Sequence, residues 1–153
     1  DRAPAPGALQ GGSHIGQGHY LGGPCVAFAG GAGLVSTAQD YSRILEMLRR
    51  RGSFNGERYL SWKSVELMTQ NSLADVPYPA GTGFSLGFRV VTDVGKTGQL
   101  GTEGSYGWGG AYHSTYWVDP VEGLTVVYLT NLIPAGDIDD HGKLRALIYA
   151  AME

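Results

Sequence analysis

The chain has 153 residues, 42% of them hydrophobic and 16% charged, with 11 Lys+Arg against 14 Asp+Glu and a net charge of -3. That is the size and balance of one ordinary globular domain. Its longest basic run is Arg49-Arg50-Arg51, which leaves no electrostatic footprint for nucleic acid or an anionic membrane surface. No apolar run approaches the roughly 18 residues of a membrane span, and the stretch Asp1-Arg2-Ala3-Pro4-Ala5-Pro6-Gly7 lacks a signal-peptide core, so the composition predicts a soluble chain. A single cysteine, Cys25, excludes an internal disulfide and a multi-cysteine zinc site.

The composition departs from the average in its 25 glycines, about twice the usual share of roughly 7%. They gather at residues 30–33, 81–87 and 101–110, between segments rich in Val, Leu, Tyr and Trp. Glycine so placed marks backbone that turns tightly or is approached closely.

Residues 1–29 carry Pro4, Pro6, Pro24 and scattered glycines without hydrophobic periodicity, and are expected to form an extended arm or loop. His14, His19 and Cys25 fit no standard zinc spacing, and no metal or cofactor is expected. Gly30-Gly31-Ala32-Gly33 leads into Thr37, an N-cap candidate, with Asp40 in the first helical turn. Tyr41, Ile44, Leu45 and Leu48 then recur at helical spacing, and Gly52 marks the stop. Asn55-Gly56 predicts a tight turn, and Ser61 can cap a second short helix carrying Val65, Leu67 and Met68.

Beyond Pro77 and Pro79 the pattern becomes that of strands, predicted over residues 84–91, 111–118 and 124–130. The last run is apolar at almost every position, so both of its faces are expected to be covered. Leu144, Leu147, Ile148 and Ala151 form a terminal helix, with Asp137 and Asp140 near its start, that can cover one face. No other segment offers a second cover by its pattern, and part of the fold is therefore expected to lie outside these residues.

Several short strings resemble active-site motifs. Gly83-Phe84-Ser85-Leu86-Gly87 spells G-x-S-x-G, but a nucleophile elbow needs a strand, a sharp turn and a helix, and the residues after Ser85 read as strand. Lys96-Thr97-Gly98 is followed by turn residues rather than a core strand. Ser53-Phe54-Asn55 runs straight into Gly56.

A longer stretch is more specific. Ser105-Tyr106-Gly107-Trp108-Gly109-Gly110-Ala111-Tyr112-His113 leads to Trp117-Val118-Asp119-Pro120, and then to Leu124 through Asn131. This resembles the third active-site motif of class C serine β-lactamases and family VIII carboxylesterases, where a strand carries K-T-G, H-T-G or W-G-G. The likeness extends to residues 30–41, to Asn55-Gly56 with the helix after Ser61, and to residues 83–88, covering about 100 residues in the family's order.

The resemblance implies an α+β fold, with residues 30–153 as the C-terminal part of a β-lactamase-like domain: antiparallel sheet strands with flanking helices. It makes the Ala111 N–H an oxyanion donor, with Trp108, Gly109, Gly110, Tyr112 and His113 around the substrate. Simple strand alternation puts Tyr112 and His113 on opposite faces. Bare backbone at Gly109 and Gly110 suits a strand against which a scissile carbonyl must lie.

The family's nucleophile and base sit in S-x-x-K and Tyr-x-Asn. No serine here has Lys three positions later and no tyrosine has Asn two later, so the helical S-x-x-K region is expected to be missing from these residues and the chain alone to be inactive. The implied partners are a small-molecule ester or amide and the N-terminal portion of the same enzyme or a second copy of the chain, in a bacterial cytoplasm or periplasm. Trp108 stands where β-lactamases place a cation for the substrate carboxylate, and its neutral face suits an uncharged ester better. The rival readings are a non-catalytic binding module on the same fold and an α/β-hydrolase using Ser85.

Overall fold

The computed structural model describes residues 34–132 and 138–152. The expected arm over residues 1–29, the boundary at residue 30, Gly30–Gly33, His14, His19, Cys25 and Asp137 lie outside them. The chain divides into two units, Asp1–Ser36 and Thr37–Glu153, and every helix and strand named here belongs to the second.

Helix α1 spans Ala38–Arg49, capped by the Thr37 hydroxyl, which accepts from the Asp40 N–H. Its buried residues are Leu45 and Leu48, while Ile44 is exposed. The helix ends through Arg51 and Gly52 at positive φ, with the Gly52 N–H donating to the Met47 carbonyl. Strands β1 (Ser53–Phe54) and β2 (Glu57–Arg58) form a hairpin across Asn55 and Gly56, both left-handed as a type I′ turn requires. Helix α2 (Trp62–Thr69) starts from the predicted Ser61 cap and buries Val65.

The remaining strands form one antiparallel sheet in chain order: β3 (Thr82–Phe84), β4 (Arg89–Val91), β5 (Tyr106–Gly109), β6 (Thr115–Asp119) and β7 (Leu124–Tyr128). Helix α3 (Val94–Thr97) lies between β4 and β5, and α4 (Asp140–Ala150) comes after the sheet. Among the described residues no helix is long and apolar enough to cross a membrane.

Three strand expectations are corrected. Residues 84–91 are a hairpin rather than one strand, because the Ser85 N–H donates to the Phe88 carbonyl across Leu86 and a Gly87 at φ +101°. Residues 111–118 are likewise not one strand. The chain reverses at 110–114, where His113 N–H donates to Gly110 O and Gly110 N–H to Ser114 O, and β6 begins only at Thr115. The third run ends sooner than expected: β7 stops at Tyr128, stands at one end of the sheet and is half-buried along its length.

Register assigns the two faces. Val90, Tyr106, Val118 and Thr125 are successive cross-strand neighbours. The first three belong to the core with Leu45 and Leu48 of α1, Val65 of α2 and Phe88. Arg89, Gly107, Trp117 and Val126 share the other face, where α4 lays the Arg145 guanidinium 4.3 Å from the Trp117 ring centre and donates the Tyr149 hydroxyl to Asp119 at 2.7 Å. The second cover that the sequence pattern did not reveal is therefore α1 with α2.

Asp119, fully buried, fixes the turn at Pro120. It accepts from the Thr102 and Tyr149 hydroxyls and from the N–H groups of Val121 and Glu122. Burial pushes its pKa up, but these hydrogen bonds outweigh that and hold the carboxyl below its ordinary range.

Candidate functional site

The candidate site is the exposed end of β5 and the turn beyond it. Trp108 pairs with Tyr116 near the end of β5, past the core, and is 44% exposed. Its indole packs edge-on against Phe84 with centroids 4.9 Å apart, and Phe84 in turn meets Tyr78 at 6.0 Å. These three aromatic rings, from β3, β5 and the segment before β3, form an open apolar wall.

The glycines of this strand differ in what demands them. At Gly107 a Cβ would lie 2.2 Å from the Tyr116 carbonyl oxygen, so the close approach of β5 and β6 requires glycine. At Gly109 it would stand 3.1 Å from the Ser114 oxygen, which is tight. At Gly110 it would meet nothing within 4 Å, and the residue has no positive φ. Gly110 is thus required neither by backbone conformation nor by a neighbour, a freedom it shares among the described glycines with Gly95 of α3, whose Cβ would meet only the Asp93 carboxylate at 3.4 Å.

Ala111 is exposed and sits second in the four-residue turn Gly110–His113. The turn is tied to both neighbours. The Tyr112 carbonyl accepts from the Thr130 hydroxyl at 2.6 Å and from the Leu132 N–H at 3.2 Å, while Ser114 and Thr130 exchange two further hydrogen bonds. Strand alternation does not apply to Tyr112 and His113, since they lie in a turn and His113 is left-handed at φ +64°.

The His113 ring is turned toward α4. Its Nε2 is 2.5 Å from Asp140 Oδ1, and the ring stacks on His141 with centroids 3.9 Å apart. Tyr128 donates its hydroxyl to the second Asp140 oxygen at 2.9 Å, and His141 Nε2 lies 2.9 Å from the His113 carbonyl oxygen. The hydrogen bond to His113, helped by the one from Tyr128 and opposed by desolvation, lowers the Asp140 pKa to about 2. His113, Asp140 and His141 place ligand-type atoms within 4.8 Å of one another. Both carboxylate oxygens and the His141 Nε2 already have partners within the protein, however, so these contacts close the cluster without an ion. His113 and Asp140 are 27 residues apart in sequence, and only the position of Asp140 near a helix start was legible from pattern.

The other serine and lysine motifs are brought elsewhere. Ser85 is 6% exposed, and its hydroxyl donates to the Leu67 carbonyl at 3.1 Å, which joins α2 to the β3–β4 turn; among the described residues no histidine is bonded to it. Lys96 and Thr97 lie on α3 and Gly98 caps it in the left-handed region, so the motif is on a helix and not on a strand. A cavity of about 180 Å³ lies among Arg89, Trp117 and Arg145, and Trp108 does not line it.

The chain is similar to known proteins in sequence and fold. A family model, Beta-lactamase, matches residues 1–150. Protein Rv1367c of Mycobacterium tuberculosis is 38% identical over 121 residues, which is 71% of this chain and 30% of that protein. Esterase EstB of Burkholderia gladioli is 31% identical over 103 residues, or 67% of this chain and 26% of the esterase. Among solved structures, EstCE1, a hydrolase with promiscuous acyltransferase activity, aligns with a TM-score of 0.72 and 29% identity over 86% of this chain and 34% of that one. The chain thus spans about a third or less of the relatives it matches.

Proposed function

The chain belongs to the Beta-lactamase family, and from that premise we propose that it supplies the third active-site segment of a serine hydrolase of the carboxylesterase type. In this reading the Ala111 N–H donates to the developing oxyanion of a tetrahedral intermediate, and Gly109-Gly110 leaves room for the scissile ester or amide. Trp108, backed by Phe84, lines the acyl or alcohol pocket. The observation that carries it is Gly110: a glycine that folding does not demand stands beside the N–H that the chemistry needs. Likeness to an esterase and to an acyl-transferring hydrolase supports the ester side of the family. So does a neutral indole at the position where a cation would attract an anionic substrate.

The nucleophilic serine and its lysine belong to an S-x-x-K that this sequence does not contain. The serine would attack the carbonyl as its proton passes to the lysine. Collapse of the tetrahedral intermediate would break the ester or amide bond and expel the alcohol or amine, which takes up that proton. Water would then hydrolyse the acyl-enzyme to the acid and free serine, while the strand end stabilises both tetrahedral states. Short-chain nitrophenyl esters test this. The 153-residue chain is expected to turn over none, and a protein joining it to an S-x-x-K region to hydrolyse them with or without Ser85→Ala. Turnover by the chain alone that Ser85→Ala abolishes would overturn the proposal.

A further inference from the structure

The turn that carries Ala111 holds a histidine in a left-handed conformation that its side chain does not favour, so something outside the turn maintains it. The ties come from two elements. From the end of β7, Thr130 and Leu132 hold the Tyr112 carbonyl. From the first turn of α4, Asp140 holds the His113 ring and His141 holds the His113 carbonyl. Tyr128 of β7 braces Asp140 from its other oxygen, so the carboxylate cannot leave the imidazole without breaking a second hydrogen bond. The charged partner makes the first of these bonds the strong kind.

We propose that Asp140 and His113 are a positioning pair: the carboxylate at the start of α4 grips the imidazole of the turn and thereby fixes the direction of the Ala111 N–H. The inference rests on the reading of that N–H as an oxyanion donor. In this role His113 acts through the turn, rather than as one of the residues around the substrate that the family resemblance implies. An oxyanion hole works because its dipoles are aimed before charge develops, and the turn's own two hydrogen bonds and the ties from Thr130 and Leu132, which hold the Tyr112 carbonyl, leave the His113 ring to this pair. The pair ties a catalytic turn to a helix packed on the sheet's opposite face, a rigid support for a group whose direction matters.

Three variants test it. Asp140→Asn keeps the size and loses the charge, His113→Gly removes the ring while easing the positive φ, and His113→Gln keeps a donor of similar reach. Amide hydrogen exchange in the chain should show the Gly110 and His113-position amides losing protection about tenfold or more in Asp140→Asn and His113→Gly, the size of a lost charge-assisted hydrogen bond. Exchange in β5 and β6 should stay unchanged, and His113→Gln should restore most of the protection. In the hydrolase joined to its S-x-x-K region, kcat should fall with KM nearly constant.

Unchanged protection in both variants would overturn the pair. So would a loss that zinc ions reverse and Gln does not, which would make the cluster a metal site. Lost protection with kcat unaltered would overturn the positioning role, and lost protection in a chain that shows no esterase activity in any context would leave the pair standing while removing the proposed function.

Discussion

At one end of β5, Tyr106-Gly107 lies between β4 and β6, with the Tyr106 ring in the core. At the other, Trp108-Gly109-Gly110 runs out past the core into an open turn. Both ends put an aromatic residue beside glycine. At the inner end the ring is 3% exposed and the glycine is forced by the Tyr116 backbone; burial pushes the Tyr106 phenol well above its usual pKa. At the outer end the ring is nearly half exposed, and Gly110 is forced by nothing the described residues show. Composition cannot separate these cases, whereas the position a missing Cβ would occupy can. Glycine that packing requires is a structural fact, and glycine that packing does not require calls for another cause.

The comparison can be broken first at its inner end. Gly107→Ala sets a Cβ 2.2 Å from a backbone oxygen, and a backbone neighbour in the middle of a sheet cannot move aside cheaply. The variant is expected to lose about 3 kcal/mol or more, read as a fall in urea midpoint. A loss near zero would mean that the two strands do not approach as described.

A smaller effect is expected from the ion pair on the same side. Glu46 of α1 accepts from Arg49 at 2.6 and 2.7 Å, from Arg50, and from Thr125 of β7, and the Arg49 hydrogen bonds lower its pKa from 4.5 to about 2. A folded-state pKa below the unfolded one gives stability that is present above pH 4.5 and lost as pH falls toward 2. With screening allowed for, that is about 1–2 kcal/mol. Glu46→Gln should therefore flatten the decline in Tm between about pH 5 and about pH 2.5, and an unchanged acid limb would show that the cluster contributes nothing there.

How far the sequence reached is set by the same physics. Local chemistry was legible: Thr37 and Ser61 cap the helices expected of them, and Asn55-Gly56 makes the hairpin its φ values demand. Turns without such chemistry were hidden. Leu86-Gly87 and Ala111-Tyr112 interrupt runs of β-forming residues, so hairpins read as continuous strands. Non-local packing was hidden too. That α1 covers the sheet is a matter of register and of contacts such as the Tyr41–Tyr116 ring pair, which periodicity along one segment cannot supply. The W-G-G string was found by resemblance, but the difference in demand between Gly107 and Gly110, and the grip of Asp140 on His113, needed coordinates.

The outer end of β5 gives the most direct test, and there the expected change in stability is the smallest. Gly110→Ala adds a methyl group to empty space at an ordinary φ, so the urea midpoint should move by no more than about 0.5 kcal/mol in either direction. In the hydrolase joined to its S-x-x-K region, the same methyl group should obstruct the carbonyl beside the Ala111 N–H and lower kcat/KM for a short-chain nitrophenyl ester by about a hundredfold, the scale of a lost oxyanion contact. Stability held with activity lost is the predicted result. Full activity in a stable Gly110→Ala variant would contradict the account of this strand end as the place where substrate meets bare backbone.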